Sequence, residues 1–286
     1  MADQLRDTIP TFGDDAADVS EAPAGLNNMS ALASTSFAKS WGEAALLLAV
    51  AVIVVGGIEI ICRAFDVPAY TFPKPSEIGD ALINHFRSLY WDHLLVTLKV
   101  LFLGYFIGSV VGIVLAAVIT QFPFVEKIIT PYILLLVTTP MIALVPLLVQ
   151  KMGFGPAPRI IAVSLAVGPM VMINAATGFR RTDLAKIALA RSYGASTFQT
   201  FVKVRFPLAL PMIIVGLMVG AIFGMLTTVG AEFVGSSDGL GTRLAFFSSR
   251  IRMADFWAVI VILALLGILI YMFFFWVGKK WASWQA

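Results

Sequence analysis

Only a few residues of this chain have side chains that could do chemistry. The sequence has two histidines, His85 and His93, and one cysteine, Cys62. The lone cysteine excludes an internal disulfide, and the two histidines are expected to be solvated rather than to bind metal. The sequence contains no nucleophile–base pair, no metal-ligating cluster and no G-x-x-x-x-G-K-[ST] segment to cradle nucleotide phosphates. The chain is therefore predicted not to be an enzyme by itself and to hold no metal or cofactor.

The remaining chemistry is that of charges inside apolar stretches. Glu59, Lys99 and Glu232 are ionisable residues within or just beyond such stretches. Intramembrane charges suggest function by default, but Glu59 and Lys99 lie near the predicted outer interface, where long stems snorkel. Glu232 precedes the irregular segment GSSDGLG, and such backbone at membrane depth must be buried in protein or face water. Glu232 is predicted to be a gate or a structural anchor, or else a plain interface residue.

A Thr-Thr-Pro step interrupts the third apolar stretch at 138–140. Pro140 leaves a backbone carbonyl unpaired, and threonine hydroxyls can bind such a carbonyl or a solute. The step is predicted to be either a simple kink or part of a translocation path. The candidates for a pathway or gate are Thr138, Thr139, Met141, Thr227 and Glu232.

The composition places the chain in a membrane. Hydrophobic residues make up 59% of the 286 residues and charged residues 13%, with a mean hydropathy of +0.91. These values fit one membrane domain and exclude a soluble protein. The net charge of +3 and the pI near 9.0 do not indicate nucleic-acid binding, because the cations lie in short loops where they set orientation.

Apolar stretches long enough to cross a bilayer as helices recur along the chain. They cover residues 44–64, 94–120, 128–150, 159–178, 211–231 and 257–277. The prediction is an all-α fold, a polytopic membrane helical bundle with six transmembrane helices over residues 41–286. Residues 1–40 are predicted to be a disordered acidic cytoplasmic tail. Ile78, Leu82 and Phe86 predict an amphipathic helix along the interface.

Positive charge is concentrated on one side of the predicted membrane. One connection carries Arg180, Arg181, Lys186, Arg191, Lys203 and Arg205, and Lys279 and Lys280 follow the last stretch. The positive-inside rule predicts that this side is the cytoplasm. Because the number of spans is even, both termini are predicted to be cytoplasmic.

Glycine recurs every fourth residue in two of the predicted spans. Gly104, Gly108 and Gly112 lie in the second, and 216, 220 and 224 are glycines in the fifth. A face of bare backbone lets another helix approach closely. The repeats are predicted to be tight packing surfaces, with a moving gate or pivot as the alternative.

The connection at about 179–210 is longer than joining two spans requires. Residues 183–193 predict a short helix, and Gly194 is predicted to end it by taking a left-handed conformation. Ser196 and Gln199 predict a capping box that starts a second short helix. That helix is predicted to end before Pro207, which has no N–H. The exposed side is predicted to carry Phe198, Phe201, Val202 and Arg205.

Exposed aromatic and apolar groups ringed by charge mark a docking surface. The two short helices of this connection are therefore predicted to dock on another protein. The alternative is that they rest on anionic membrane lipid.

The same connection resembles the signature loop of the membrane subunits of ABC importers, E-A-A, three residues, G, nine residues, I-x-L-P. This chain has 188-ALA-190, Gly194 and 204-VRFP-207 at that spacing. It departs from the pattern at Ala188, where the family commonly has glutamate. Residues 140–155, 230–244 and 72–78 resemble segments of the nitrate, sulfonate and taurine branch, in the same order.

The resemblance implies the fold and the partners of a type I ABC importer permease in the bacterial inner membrane. It implies a second copy of the chain, two ABC ATPase subunits that hold ATP and Mg, and an extracytoplasmic solute-binding protein that largely sets selectivity. Branch relatives handle nitrate, sulfonates, taurine and thiamine precursors. The residues implied to couple to the ATPase are Arg191, Gly194, Ala195, Ser196, Phe198, Gln199, Phe201, Arg205 and Pro207.

The alternatives to this function are a secondary transporter driven by an ion gradient and a membrane scaffold or channel. Secondary transporters often show paired halves and acids or broken helices near the middle of the membrane. The sequence has no convincing internal repeat and almost no such acids.

Overall fold

The computed structural model describes residues 41–281, and the regular secondary structure of this part of the chain is all helical with no β-strand. The first helices are α1 Trp41–Ala64, α2 Pro75–His85, α3 Trp91–Gln121, α4 Pro123–Thr138, α5 Met141–Met152 and α6 Pro156–Arg180. The later helices are α7 Leu184–Ser192, α8 Thr197–Thr200, α9 Phe206–Gly235, α10 Leu240–Ser249 and α11 Met253–Trp281. The predicted all-α membrane bundle is confirmed.

The chain divides into two units, residues 1–60 and residues 61–286. Of the first unit, the structure describes only the part of α1 that ends at residue 60. The predicted tail, residues 1–40, lies outside the described residues. The division into a tail and one membrane domain over 41–286 stays a prediction.

Five helical runs of the described chain are long and apolar enough to cross a membrane. They are Ala45–Ala64, Pro75–Gln121, Pro156–Arg180, Thr197–Gly235 and Met253–Trp281. Each contains most or all of one predicted span. The third predicted span, 128–150, is not one straight helix, because α4 and α5 meet at a bend of 95°. The count reaches six when this bent pair is taken as one span.

The bend lies at the Thr-Thr-Pro step. A proline disfavours helical backbone in the residue before it, and Thr139 is extended with φ −78° and ψ 125°. The Thr139 hydroxyl donates to the Leu135 carbonyl at 2.6 Å, and the Thr138 hydroxyl donates to the Leu134 carbonyl at 3.0 Å. Both threonine hydroxyls therefore bond back to carbonyls of their own helix, and the Leu135 carbonyl also accepts the Thr139 N–H at 3.0 Å.

The glycines of α3 lie directly on the backbone of α6. A Cβ atom added at Gly104 would lie 2.6 Å from Val163 Cβ, and one at Gly108 would lie 2.7 Å from the Ser164 carbonyl oxygen. Both distances are too short for real atoms. Only glycine permits this separation of α3 and α6.

The glycines of α9 lie on α6 in the same way. An added Cβ would lie 2.8 Å from Asn174 Cβ at Gly216 and 2.9 Å from Val171 Cγ2 at Gly220. Val171 belongs to the fully buried residues of α6. The predicted packing role of both glycine repeats is confirmed, and α6 is the helix against which α3 and α9 both pack.

The segment before α3 was expected to lie along the membrane interface as a separate helix. Instead, α2 continues through a π-helical turn, Phe86–Tyr90, directly into α3. The amphipathic pattern is right, but its apolar residues Ile78 and Leu82 pack in a cluster with α10 and α11. Hydrophobic spacing shows that a face is covered, and it does not distinguish protein from lipid.

The expectation that both histidines are solvated holds only in part, because each is half-buried and also bonds to a protein group. His85 Nδ1 lies 2.7 Å from Asp255 Oδ1, and the buried Asp255 also accepts hydrogen bonds from the Tyr90 hydroxyl at 2.6 Å and from Arg252 Nε at 2.9 Å. His93 Nδ1 accepts a hydrogen bond from the Gly239 N–H at 3.1 Å. The partners of both histidines lie far away in sequence, so no local sequence pattern predicts them. Within residues 41–281 no group of three potential metal ligands occurs.

The contact between α3 and α6 predicts different costs for the same substitution at two helical glycines. Gly108→Ala places a methyl group against a backbone carbonyl that cannot move aside, so we expect a loss of about 1–3 kcal/mol in stability. Gly79→Ala in α2 meets no atom within 4 Å, so we expect no loss, or a gain of about 0.5–1 kcal/mol from helix propensity. Thermal unfolding in detergent measures both. Equal melting temperatures for the two variants would contradict the packing role of Gly108.

Candidate functional site

The connecting loop, residues 181–205, joins α6 to α9 and contains the predicted docking residues. Its first helix, α7, begins after Asp183, whose carboxylate accepts a hydrogen bond from the Ala185 N–H at 2.8 Å. Gly194 follows with φ +80°, and the Ala195 N–H donates to the Ala190 carbonyl at 3.1 Å. This is a left-handed helix end of the kind that glycine favours. The predicted stop at Gly194 is confirmed.

The second helix of the connecting loop begins with the predicted capping box. The Gln199 N–H donates to the Ser196 hydroxyl at 3.2 Å, and the Ser196 N–H donates to the Gln199 side-chain oxygen at 2.9 Å. Each side chain therefore satisfies a backbone donor of the other residue. The turn between α7 and α8 is fixed by bonds internal to the loop.

The prediction that this second helix ends before Pro207 was wrong. Helix α8 continues through a π-helical turn, Phe201–Arg205, and into α9 without a break. Proline is tolerated in the first turn of a helix, and the Phe206 N–H donates to the Phe201 carbonyl across the wider turn. Residues Thr197–Gly235 thus form one helical run of 39 residues.

The loop exposes one aromatic face and buries another. Phe198 is 76% exposed, and Tyr193 is among the most exposed side chains of the chain. Phe201 was predicted to point outward, but it packs on Phe179 of α6 with ring centroids 5.0 Å apart. The helical period alone could not show that α6 would cover this side.

The predicted coupling residues divide accordingly. Those on the exposed surface are Arg191, Gly194, Ser196, Phe198 and Gln199, and those that are half-buried are Ala195, Phe201, Arg205 and Pro207. A cavity of about 460 Å³ lies on the exposed side, lined in part by Tyr193, Gly194, Ala195 and Gln199. The structure therefore brings aromatic, polar and cationic groups together around a recess.

Four of the five pathway candidates line a second cavity, of about 300 Å³. Thr138, Thr139 and Met141 come from the bend between α4 and α5, and Thr227 comes from α9. The rest of its lining is predominantly apolar. The same helical run that begins in the connecting loop thus also lines this cavity.

The fifth candidate, Glu232, lies elsewhere and is fully buried. Its Oε2 accepts hydrogen bonds from the Thr97 hydroxyl at 2.8 Å and from the Gly241 N–H at 3.1 Å. Its Oε1 lies 3.8 Å from Arg159 Nη1. Complete burial excludes a plain interface residue, because an interface residue would keep its carboxylate in water.

The contacts of Glu232 hold the irregular segment 236–240 in place. The Leu240 N–H donates to the Thr97 hydroxyl at 2.9 Å, and Arg159 Nη1 donates to the Asp238 carbonyl at 3.1 Å. Gly239 has φ +110°, and a Cβ atom there would overlap the Glu232 carboxylate. Residues 238, 240 and 241 are therefore hydrogen-bonded to α6, α3 and α9, respectively.

Sequence analysis missed Thr97 and Arg159 as partners of Glu232. Arg159 stands at the first residue of a predicted span, and a cation there was a signal that it could pair with the one acid at the end of another span. Thr97 gave no signal, because threonine is common in helices and its partner lies 135 residues away.

Comparison with known proteins identifies the family. Residues 108–283 match the family described as "Binding-protein-dependent transport system inner membrane component". The chain is 29% identical over 213 residues to a probable ABC transporter permease protein of Haemophilus influenzae, covering 74% of this chain and 86% of that protein. It is 30% identical to the formylaminopyrimidine transport permease protein ThiX of Halalkalibacterium halodurans, covering 74% and 84%. It is also 30% identical to the taurine transport system permease protein TauC of Escherichia coli, covering 68% and 74%.

Solved structures show the same fold. The MetNI methionine ABC transporter in an inward-facing conformation matches with a TM-score of 0.60 at 17% identity, covering 68% of this chain and 97% of the matched chain. An amino acid ABC transporter matches with a TM-score of 0.52 at 17% identity, covering 71% and 95%. The predicted type I ABC importer permease fold is confirmed. The chain belongs to the family of binding-protein-dependent transport system inner membrane components and is a multi-pass permease subunit of an ABC transport system.

Proposed function

We propose that this chain forms, with a second copy of itself, the translocation path of an ATP-driven importer. One observation carries the mechanism: a single helical run, Thr197–Gly235, joins the connecting loop to the cavity at Thr227 and to the buried Glu232. A partner that moves the loop must move the helix that lines the cavity. The family assignment favours this function over transport driven by an ion gradient.

The proposed energy source is a pair of ABC ATPase subunits that bind ATP and Mg on the side of the connecting loop. Exposed Tyr193 and Phe198 beside a recess fit the groove of such a subunit, and the loop cations fit its acids. The loop and both termini are proposed to be cytoplasmic, since this side carries the dense positive charge. The nucleotide chemistry takes place on the ATPase.

The proposed cargo is a small polar solute delivered by a solute-binding protein. The names of relatives give formylaminopyrimidine, taurine and aliphatic sulfonates as cargo of those proteins. The cavity between α4, α5 and α9 contributes threonine hydroxyls and no charged side chain. Such a lining suits passage of a solute rather than its selection, so selectivity is assigned to the binding protein.

Glu232 is proposed to anchor the far end of the helical run. Glu232 Oε1 and Arg159 Nη1 are 3.8 Å apart, and a buried ion pair is costly to separate because either partner alone would leave an unpaired charge. Through Thr97 and Arg159 the anchor ties the 236–240 segment to α3 and α6. A displacement of α9 therefore reaches this segment directly.

The first prediction for this function compares two glycines that both have a positive φ. Gly194 and Gly153 have φ of +80° and +81°, and neither has an atom within 4 Å of an added Cβ. Valine strains both positions, and it strains Gly153 at least as strongly, because φ +81° with ψ 174° is a conformation that glycine alone adopts readily. We expect Gly194→Val to uncouple ATP hydrolysis from uptake in proteoliposomes and Gly153→Val to leave the coupling ratio unchanged. Equal coupling in both variants would refute the docking role of the connecting loop.

The second prediction concerns the exposed aromatic of the loop. Phe198 is 76% exposed and Phe124, at the start of α4, is 74% exposed. Truncating an interface hot spot costs about 2 kcal/mol, so Phe198→Ala should weaken association with the ATPase about 30-fold. Phe124→Ala is the control and should bind like the wild type. Titration of the purified ATPase subunit onto the permease in nanodiscs measures both affinities. Equal affinities for Phe198→Ala and wild type would contradict the role of Phe198 in docking.

The third prediction tests the anchor with two threonines. Thr97→Val removes a hydroxyl that bridges the Leu240 N–H and Glu232, and leaving buried groups unsatisfied costs about 1–3 kcal/mol. Thr120→Val removes a hydroxyl that bonds only to carbonyls of its own helix. We expect faster hydrogen exchange of the amides at 239–241 in Thr97→Val alone. Unchanged exchange there would show that the bridge does not hold the segment.

A further inference from the structure

The turn Arg250-Ile251-Arg252, called here the 250–252 turn, joins α10 to α11. It follows the end of the long helical run, so it lies at the end of α9 opposite to the connecting loop. Ile251 has φ +57° and is 64% exposed. A β-branched residue in the left-handed region is strained, and glycine or asparagine would occupy the position without that strain. The chain thus holds an apolar side chain in water, or against a partner, in an unfavourable backbone conformation.

The 250–252 turn is held rigidly by its neighbours. Arg252 donates to Asp255 through Nε at 2.9 Å and through Nη2 at 2.7 Å, and its guanidinium lies 5.1 Å from the centre of the Phe247 ring. The Ile251 N–H donates to the Ser248 carbonyl at 3.2 Å. The backbone of Ile251 is therefore held in place, which lowers the entropy cost of a contact.

Arg250 adds a charge beside Ile251. Its exposed guanidinium lies 4.9 Å from the centre of the Phe246 ring, and that of Arg243 lies 5.5 Å from the same centre. Arg252 is paired with Asp255, whereas Arg250 and Arg243 form no ion pair within residues 41–281. Two cations on one ring leave an unneutralised positive site next to the exposed isoleucine.

We propose that the 250–252 turn is a docking point for an acidic partner, the solute-binding protein of this importer. Ile251 would enter an apolar recess on that protein, and Arg250 would pair with a carboxylate at its rim. The proposal rests on the proposed function, because the importer is what supplies a binding protein. It fits the position of the turn, which lies across the membrane from the side assigned to the ATPase.

The same short helix links this docking point to the Glu232 anchor. Helix α10 carries Leu240 and Gly241 at its first turn, where they bond to Thr97 and Glu232. Its last residue, Ser249, immediately precedes Arg250. A partner that presses on the 250–252 turn therefore acts on the anchor through ten residues of helix.

The test uses the permease assembled with its ATPase in nanodiscs, and the solute-binding protein of this importer as the probe. Ile251→Asn introduces a residue that tolerates the left-handed conformation, so we expect the variant to unfold at an equal or higher temperature. Because the apolar side chain is lost, we expect the binding protein to bind at least tenfold more weakly. Arg250→Glu should weaken binding at least tenfold and reduce its dependence on salt. Ile83→Asn, at a residue that is 80% exposed on α2, and Arg87→Glu are the matched controls.

Several outcomes would overturn the proposal. Binding of Ile251→Asn and Arg250→Glu at wild-type affinity would do so, as would an equal loss in the two controls. A defect of Arg250→Glu that occurs only in nanodiscs with anionic lipid would assign the turn to lipid headgroups and overturn it too. Wild-type complex that takes up no solute with ATP would refute the proposed function itself, whereas normal uptake with unchanged variants would refute only the docking point.

Discussion

The close approach of α3 and α9 to α6 is the contact on which the rest of the structure depends. Lipid tails are as apolar as leucine, so burial of apolar surface gives little drive for helices to associate in a membrane. Dispersion between closely packed backbones supplies that drive, and it requires residues without side chains at the contact. Gly104, Gly108, Gly216 and Gly220 meet this requirement on two faces of one helix. The arrangement sets where Thr97, Arg159 and Glu232 must lie, because each belongs to one of these three helices.

The polar contacts differ between the two ends of this apolar framework. On one side, the connecting loop is ordered by its own hydrogen bonds and is fixed to α6 through Phe179 and Phe201. On the other side, an irregular segment is bonded to Glu232 and its neighbours. A π-helical turn joins the loop to α9 where an ordinary helix would end at proline. These two sets of polar contacts thus lie at opposite ends of one helical run, whose middle packs against α6.

The sequence correctly predicted those features of the molecule that depend on bonds between residues close together in the chain. The helix end at Gly194 and the capping box of Ser196 and Gln199 rest on bonds within a few residues, and the structure has them as predicted. The glycine packing faces were also predicted, because a glycine at every fourth position can be recognised in the sequence without knowing which helix packs against it. The direction of Phe201 was not, because the helix that covers it is distant in sequence. The same distance in sequence hid the partners of Glu232 and the cluster around Asp255. Pro207 did not end the second helix of the loop, because it follows directly after a π-helical turn through which the helix continues.

The unbroken run Thr197–Gly235 has a mechanical consequence. At about 1.5 Å per residue, 39 residues extend for nearly 60 Å, about twice the thickness of the hydrocarbon core of a bilayer. A helical run of this length can extend beyond the hydrocarbon core on both faces of the bilayer. The π-helical turn Phe201–Arg205 and Pro211 inside α9 are the points along this run where a helix can bend, so they decide how much of a displacement at one end reaches the other.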